Sequence, residues 1–129
     1  MPLILAAAFL LPQAGGSKPA FTRLTPEQLK EMAENGKKFL FLDVREPKEL
    51  EDFGTLKGYL NIPLGQLESR LNEIPRNMPI VSACSRAGRA AKAAEVLAGH
   101  GYTGISLVAM DEYKEKGYKL VYPKAAGRK

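Results

Sequence analysis

The sequence predicts an α/β protein built on a mostly parallel sheet with helices covering both faces. Three observations carry that expectation. Strand-like and helix-like segments alternate from Phe21 onward. One strand segment, Phe39-Leu40-Phe41-Leu42, is a continuous apolar run, as expected for a strand buried on both faces. The length, 129 residues, suits one domain. A chain of that size can bury roughly two thirds of the surface its unfolded form exposes. It therefore requires no disulfide or metal staple.

In chain order, Thr25-Pro26-Glu27-Gln28 reads as a helix start. Thr25 can cap, Pro26 suits the first helical position, and Gln28 can complete a capping box. Leu29 and Met32-Ala33 continue the helical spacing to Asn35-Gly36, a good C-terminal stop. The strand from Phe39 ends at Asp43-Val44-Arg45, and Pro47 opens a short acidic helix that Gly54 stops. Tyr59 to Ile62 is a brief strand, and Leu64, Leu67 and Leu71 predict a helix over Leu64 to Leu71. Pro79 to Ala83 is an apolar strand leading directly into Cys84. Ala90 to Ala98 reads as a helix that Gly99-His100-Gly101 ends, Ile105 to Val108 as the last strand, and Asp111 to Lys116 as a final helical turn. No internal repeat interrupts the pattern.

The flanks differ from this body. Residues 1–20 form an apolar segment, Met1 to Leu11, followed by a linker, and residues 121–129 a basic tail, leaving 21–120 as the domain. Eleven apolar residues are too few to span a bilayer, which needs about 20. They match the apolar region of a secretory signal in length but lack a preceding Lys or Arg. Export or anchoring through Met1-Leu11 is thus the alternative to a cytoplasmic protein, and membrane association of this segment stays open. The net charge of +5 is concentrated at the end: Lys114 to Lys129 holds six basic residues and one acidic one. Such a tail usually remains solvated. A nucleic-acid partner is not expected, since that would want a basic face interleaved with aromatics on the fold itself. The one cysteine cannot form an internal disulfide, which suits a reducing compartment. The one histidine, His100, leaves no His/Cys cluster with metal-ligand spacing, so no metal and no cofactor is expected.

In such sheets ligands bind beyond the carboxyl ends of the strands, where Asp43, Arg45 and Cys84 all fall. Cys84-Ser85-Arg86-Ala87-Gly88-Arg89 is a strand end followed by a small-residue loop and a helix. Such a loop can turn backbone N–H groups inward as an anion cradle, and the helix adds its positive end. Arg86 and Arg89 bring cationic charge. These surroundings favour the thiolate, which is the nucleophile, without any histidine. The bland alternative is a small buried cysteine behaving as a hydrophobe.

Three motifs in order resemble the rhodanese family. They are Asp43-Val44-Arg45 followed by Glu49, then Lys57-Gly58-Tyr59-Leu60-Asn61-Ile62-Pro63-Leu64, then the six-residue C-x-x-x-x-R loop from Cys84 to Arg89. The resemblance spans Phe21 to about Tyr118 and implies a three-layer α/β/α fold with a central sheet of about five strands. It implies that Cys84 takes a sulfane sulfur from thiosulfate or a similar small anionic donor. Cys84 would become a persulfide and pass the sulfur to cyanide, a thiol or a protein acceptor. Ser85, Arg86, Ala87, Gly88 and Arg89 would form the substrate-binding loop, Arg89 packing back to hold it, with Asp43 and Arg45 supporting its base; a purely structural salt bridge is the plainer role for those two. The loop departs from the family's usual C-x-S-G-x-R-S: Arg86-Ala87 replaces Ser-Gly, and Ala90 removes a hydroxyl. Thr55 stands where a histidine is common, and Tyr113 where a tryptophan is. Two rivals are weighed. A Cys-dependent phosphatase or arsenate reductase would carry C-x5-R, and that position is Ala90. A rhodanese-like binding or sulfur-carrier module without independent turnover would keep the fold and the loop.

Overall fold

A computed structural model describes residues 21–124. Five strands form one parallel sheet: β1 (Thr22–Arg23), β2 (Leu40–Asp43), β3 (Leu60–Asn61), β4 (Ile80–Cys84) and β5 (Ile105–Ala109). Their order across the sheet is β1-β5-β4-β2-β3. Four α-helices accompany them: α1 (Pro26–Glu34), α2 (Pro47–Phe53) and α3 (Gly88–Gly99) each link one strand to the next, and α4 (Met110–Glu115) follows β5.

The sheet divides the core in two. Leu42, Ile80, Ile105 and Leu107 face one side, against Ala90, Ala93, Ala94 and Leu97 of α3. Phe41, Val81, Ala83 and Val108 face the other, against Leu29 of α1 and Met110 and Tyr113 of α4. Successive strand residues point to opposite faces. Along β4 the alternation therefore sends Ile80, Ser82 and Cys84 toward α3, and Ser82 Oγ donates to the Ala90 carbonyl at 3.0 Å. A slip of one residue would place Cys84 on the wrong side of the sheet.

The helix boundaries follow from capping chemistry. Gln28 N–H donates to Thr25 Oγ1 at 3.0 Å, and Thr25 N–H donates to Gln28 Oε1 at 2.8 Å, closing the expected capping box. Pro47 starts α2, and Gly54 ends it with φ 85°. Gly54 is required there for a second reason: a Cβ would lie 3.0 Å from the Leu120 Cβ and from the Tyr122 ring.

Three expectations are corrected, and one strand is added. Leu64 to Leu71 is not an α-helix but two 3-10 turns, Leu64–Gln66 and Glu68–Glu73. Arg70 (φ −123°, ψ 21°) leaves the helical region inside the second, and short 3-10 pieces tolerate such breaks. β1 was not anticipated, because its two residues are polar and exposed and show no alternation. α3 begins two residues before Ala90, at Gly88. The basic stretch from Lys114 is not a free solvated tail through Lys124. Lys116 pairs with Glu27, the Tyr118 hydroxyl donates to Glu27, and Val121 forms an antiparallel bridge with Thr55. The apolar residues Tyr118, Leu120 and Val121, interleaved with the lysines, draw the segment onto the body. The apolar segment Met1-Leu11 and the last five residues lie outside the described residues. No helix of the described residues is long and apolar enough to cross a membrane.

Candidate active site

β4 ends on Cys84, and the chain turns through Ser85, Arg86 and Ala87 into α3. The Asp111 N–H donates to the Ser85 carbonyl at 3.0 Å, tying the loop to the start of α4. Cys84 is 1% exposed, and its Sγ accepts the Ala90 N–H at 3.2 Å. The first amides of a helix have no intrahelical acceptor and carry its positive end. The sulfur thus occupies a place built to hold negative charge. The hydroxyl missing at Ala90 does not remove this contact, because the donor is backbone.

Arg89 does not point freely into the loop. Its Nη1 and Nη2 donate to Glu49 Oε2 and Oε1 of α2 at 2.8 and 2.9 Å. This two-pronged pair fastens the start of α3 to α2. Arg89 holds the Glu49 carboxyl below the usual carboxylate range, and Glu49 in turn raises the Arg89 pKa. Glu49 also accepts the Glu46 N–H at 3.0 Å, so one carboxylate caps α2 and anchors the loop. A carboxylate depressed in the folded state stabilises the protein above its unfolded pKa, and that contribution is lost as pH falls through the folded value. Glu49→Gln should therefore unfold at lower urea than the parent at neutral pH, with the difference shrinking toward the acid end. A constant difference across the range, read from urea midpoints at several pH values, would contradict this pairing.

Asp43 and Arg45 lie behind this layer. Arg45 Nε and Nη2 donate to Asp43 Oδ1 and Oδ2 at 2.9 and 2.6 Å, and Nη2 also donates to the Gly54 carbonyl. Both side chains are buried. The Thr55 hydroxyl donates to Asp43 Oδ2 at 2.7 Å, and Asn61 Nδ2 donates to the Asp43 and Arg45 carbonyls. The Val44 N–H donates to the Ala83 carbonyl, so this pinned turn lies directly beside the residue preceding Cys84. Asp43 and Arg45 hold the base of the loop and do not enter it.

Arg86 is the opposite case. Its side chain is 88% exposed, with Nε 3.9 Å from Asp111 Oδ2, too long for a hydrogen bond. Ala87 is buried in the left-handed region (φ 80°, ψ −9°), the only non-glycine residue with positive φ among the described residues. An L-residue costs about 1–2 kcal/mol there. Ala87→Gly should remove that strain at a smaller cost in added unfolded-state entropy, for a net stabilisation of about 0.5–1 kcal/mol. A destabilised variant in urea unfolding would count against this loop conformation.

Sequence reasoning named Cys84, the loop, Asp43 and Arg45. It did not assign Glu49 as the partner of Arg89, although Glu49 closes the D-V-R-x-x-x-E stretch that begins at Asp43. It also treated Thr55 only as a departure, whereas its hydroxyl completes the Asp43 network. No group of three or more His, Cys, Asp or Glu among the described residues is placed to hold a metal ion.

Comparison with known proteins places this geometry among relatives. The rhodanese-like domain model matches residues 25–115. The uncharacterized protein YqhL of Bacillus subtilis (strain 168) is 42% identical over 69 residues, which cover 54% of each chain, so the protein spans about half the length of that relative. The mitochondrial thiosulfate sulfurtransferase RDL2 of Saccharomyces cerevisiae is 32% identical over 117 residues, covering 78% of this chain and 77% of that one. Among solved structures, a rhodanese-related protein from Thermoplasma volcanium has a TM-score of 0.70 at 30% identity, covering 80% of this chain and 100% of that chain. The single-domain sulfurtransferase RDL2 structure has a TM-score of 0.67 at 25% identity, with 78% and 94% covered.

Proposed function

Since the chain belongs to the rhodanese-like domain family, we propose that it is a sulfurtransferase working through a persulfide on Cys84. The observation that carries this reading is the Ala90 N–H on Cys84 Sγ at the head of α3. The thiolate attacks the outer sulfur of thiosulfate or a similar small anionic donor. The donor's S–S bond breaks, and sulfite leaves with the bonding electron pair. Cyanide, or a small or protein thiol as thiolate, then attacks the terminal sulfur of the persulfide, and the Cys84 thiolate returns. Ser85, Arg86, Ala87, Gly88 and Arg89 shape the donor site, with Arg89 acting as a positioning residue through Glu49. The reaction needs no cofactor. A reducing compartment such as the cytoplasm suits a working free thiol.

Treating the full chain with thiosulfate and weighing it should reveal a gain of about 32 Da, one sulfur. The chain has one cysteine, so the adduct has one thiol on which to form. Cyanide should remove it and release thiocyanate. Absence of both adduct and thiocyanate would sink the enzyme reading. The exposed Arg86 and the deep Cys84 favour one second reading, a sulfur-carrier module; an adduct that forms but resists cyanide and passes only to a protein thiol would select it.

A further inference from the structure

A cavity lined by described residues lies away from Cys84. It measures about 600 Å³, and no residue from Cys84 to Arg89 lines it. α1 runs from the carboxyl end of β1 back toward the amino end of β2, so its last residues, Lys30, Ala33 and Glu34, lie toward the opposite end of the sheet from the active loop. Leu56, Tyr113, Tyr118 and Val121 also line it, and the two rings meet edge to face at 5.3 Å. The size falls within the ~300–1,000 Å³ range of small-molecule sites.

Two further observations point to a ligand. Tyr113 is 97% buried by its 3% exposure and lines the cavity, and its hydroxyl has no hydrogen-bond partner among the described residues. A buried tyrosine hydroxyl usually finds one. Burial holds the phenol above its ordinary pKa, so at neutral pH it keeps its proton and can donate. The lining is also electropositive. Lys30 pairs with Glu34, while Lys57 and Lys119 have no ion-pair partner among the described residues. An apolar, aromatic interior with one free donor and two uncompensated ammonium groups complements a molecule with an apolar body and one anionic group.

We propose that this cavity binds an amphipathic carboxylate of the aromatic or short acyl class. Its body packs on Tyr113, Tyr118 and Leu56, and its carboxylate accepts from the Tyr113 hydroxyl and faces Lys57 and Lys119. The site is separate from sulfur transfer and does not depend on it.

The test uses the full chain and 1-naphthoate, whose fluorescence is read without interference from tryptophan, since the chain has none. Saturable binding is expected, with backbone amide shifts in ¹⁵N-labelled protein centred on Ala33, Gly58 and Gly117. Neutral 1-naphthalenemethanol should bind several-fold more weakly. Tyr113→Phe should weaken naphthoate about 2- to 10-fold, the worth of one hydrogen bond. Lys57→Gln/Lys119→Gln should erase the preference for acid over alcohol, and both variants should still form the thiosulfate adduct. Equal affinity for acid and alcohol would overturn the proposal, as would shifts centred on Cys84 to Arg89. So would absence of saturable binding.

Discussion

Cys84→Ser should lower thiocyanate formation from thiosulfate and cyanide by at least ~10³-fold, because removing the nucleophile removes the covalent route itself. Serine is close to isosteric and can still accept the Ala90 N–H that reaches Sγ at 3.2 Å. Its oxygen cannot carry a sulfane sulfur, since the hydroxyl is essentially never ionised at neutral pH. The variant should therefore keep its circular dichroism spectrum and bind thiosulfate while gaining no sulfur. A folded Cys84→Ser protein that still produced thiocyanate would exclude the persulfide route.

Asp43→Ala should destabilise the protein by about 3–5 kcal/mol, the usual consequence of stranding a buried charge by removing its partner. Asp43 is 0% and Arg45 1% exposed, and the carboxylate accepts from Arg45 and from the Thr55 hydroxyl. Without it, the guanidinium keeps the Gly54 carbonyl as its acceptor, and Thr55 loses its own. A loss of that size is a large share of the ~5–15 kcal/mol by which domains are stable. Urea unfolding measures it directly. The pair does not touch the donor site, so activity should fall in step with the folded fraction. A shift below ~1 kcal/mol would mean that water reaches the pair.

The separate fates of the arginines explain why the site was only partly legible. Arg45, Arg86 and Arg89 look alike in the sequence, each near a strand end. One is buried in a structural pair, one is exposed on the loop, and one is clamped to another helix. Arg89 and Glu49 are 40 residues apart, and nothing local to either announces the contact. Likewise the apolar spacing of Leu64, Leu67 and Leu71 is met by 3-10 turns, since burying those three side chains does not demand a continuous α-helix.

The sequence by itself determined the α/β alternation, the capped start of α1, the strand that delivers Cys84 and the six-residue loop behind it. These rest on periodicity, capping and proline or glycine positions, which act over a few residues. Only the tertiary structure decided which arginine serves the loop, that Thr55 completes the Asp43 network, and that the segment after α4 folds back on Thr55 to wall a second cavity. Each of these depends on long-range burial, where a charge or hydroxyl takes its role from the group that replaces its lost water.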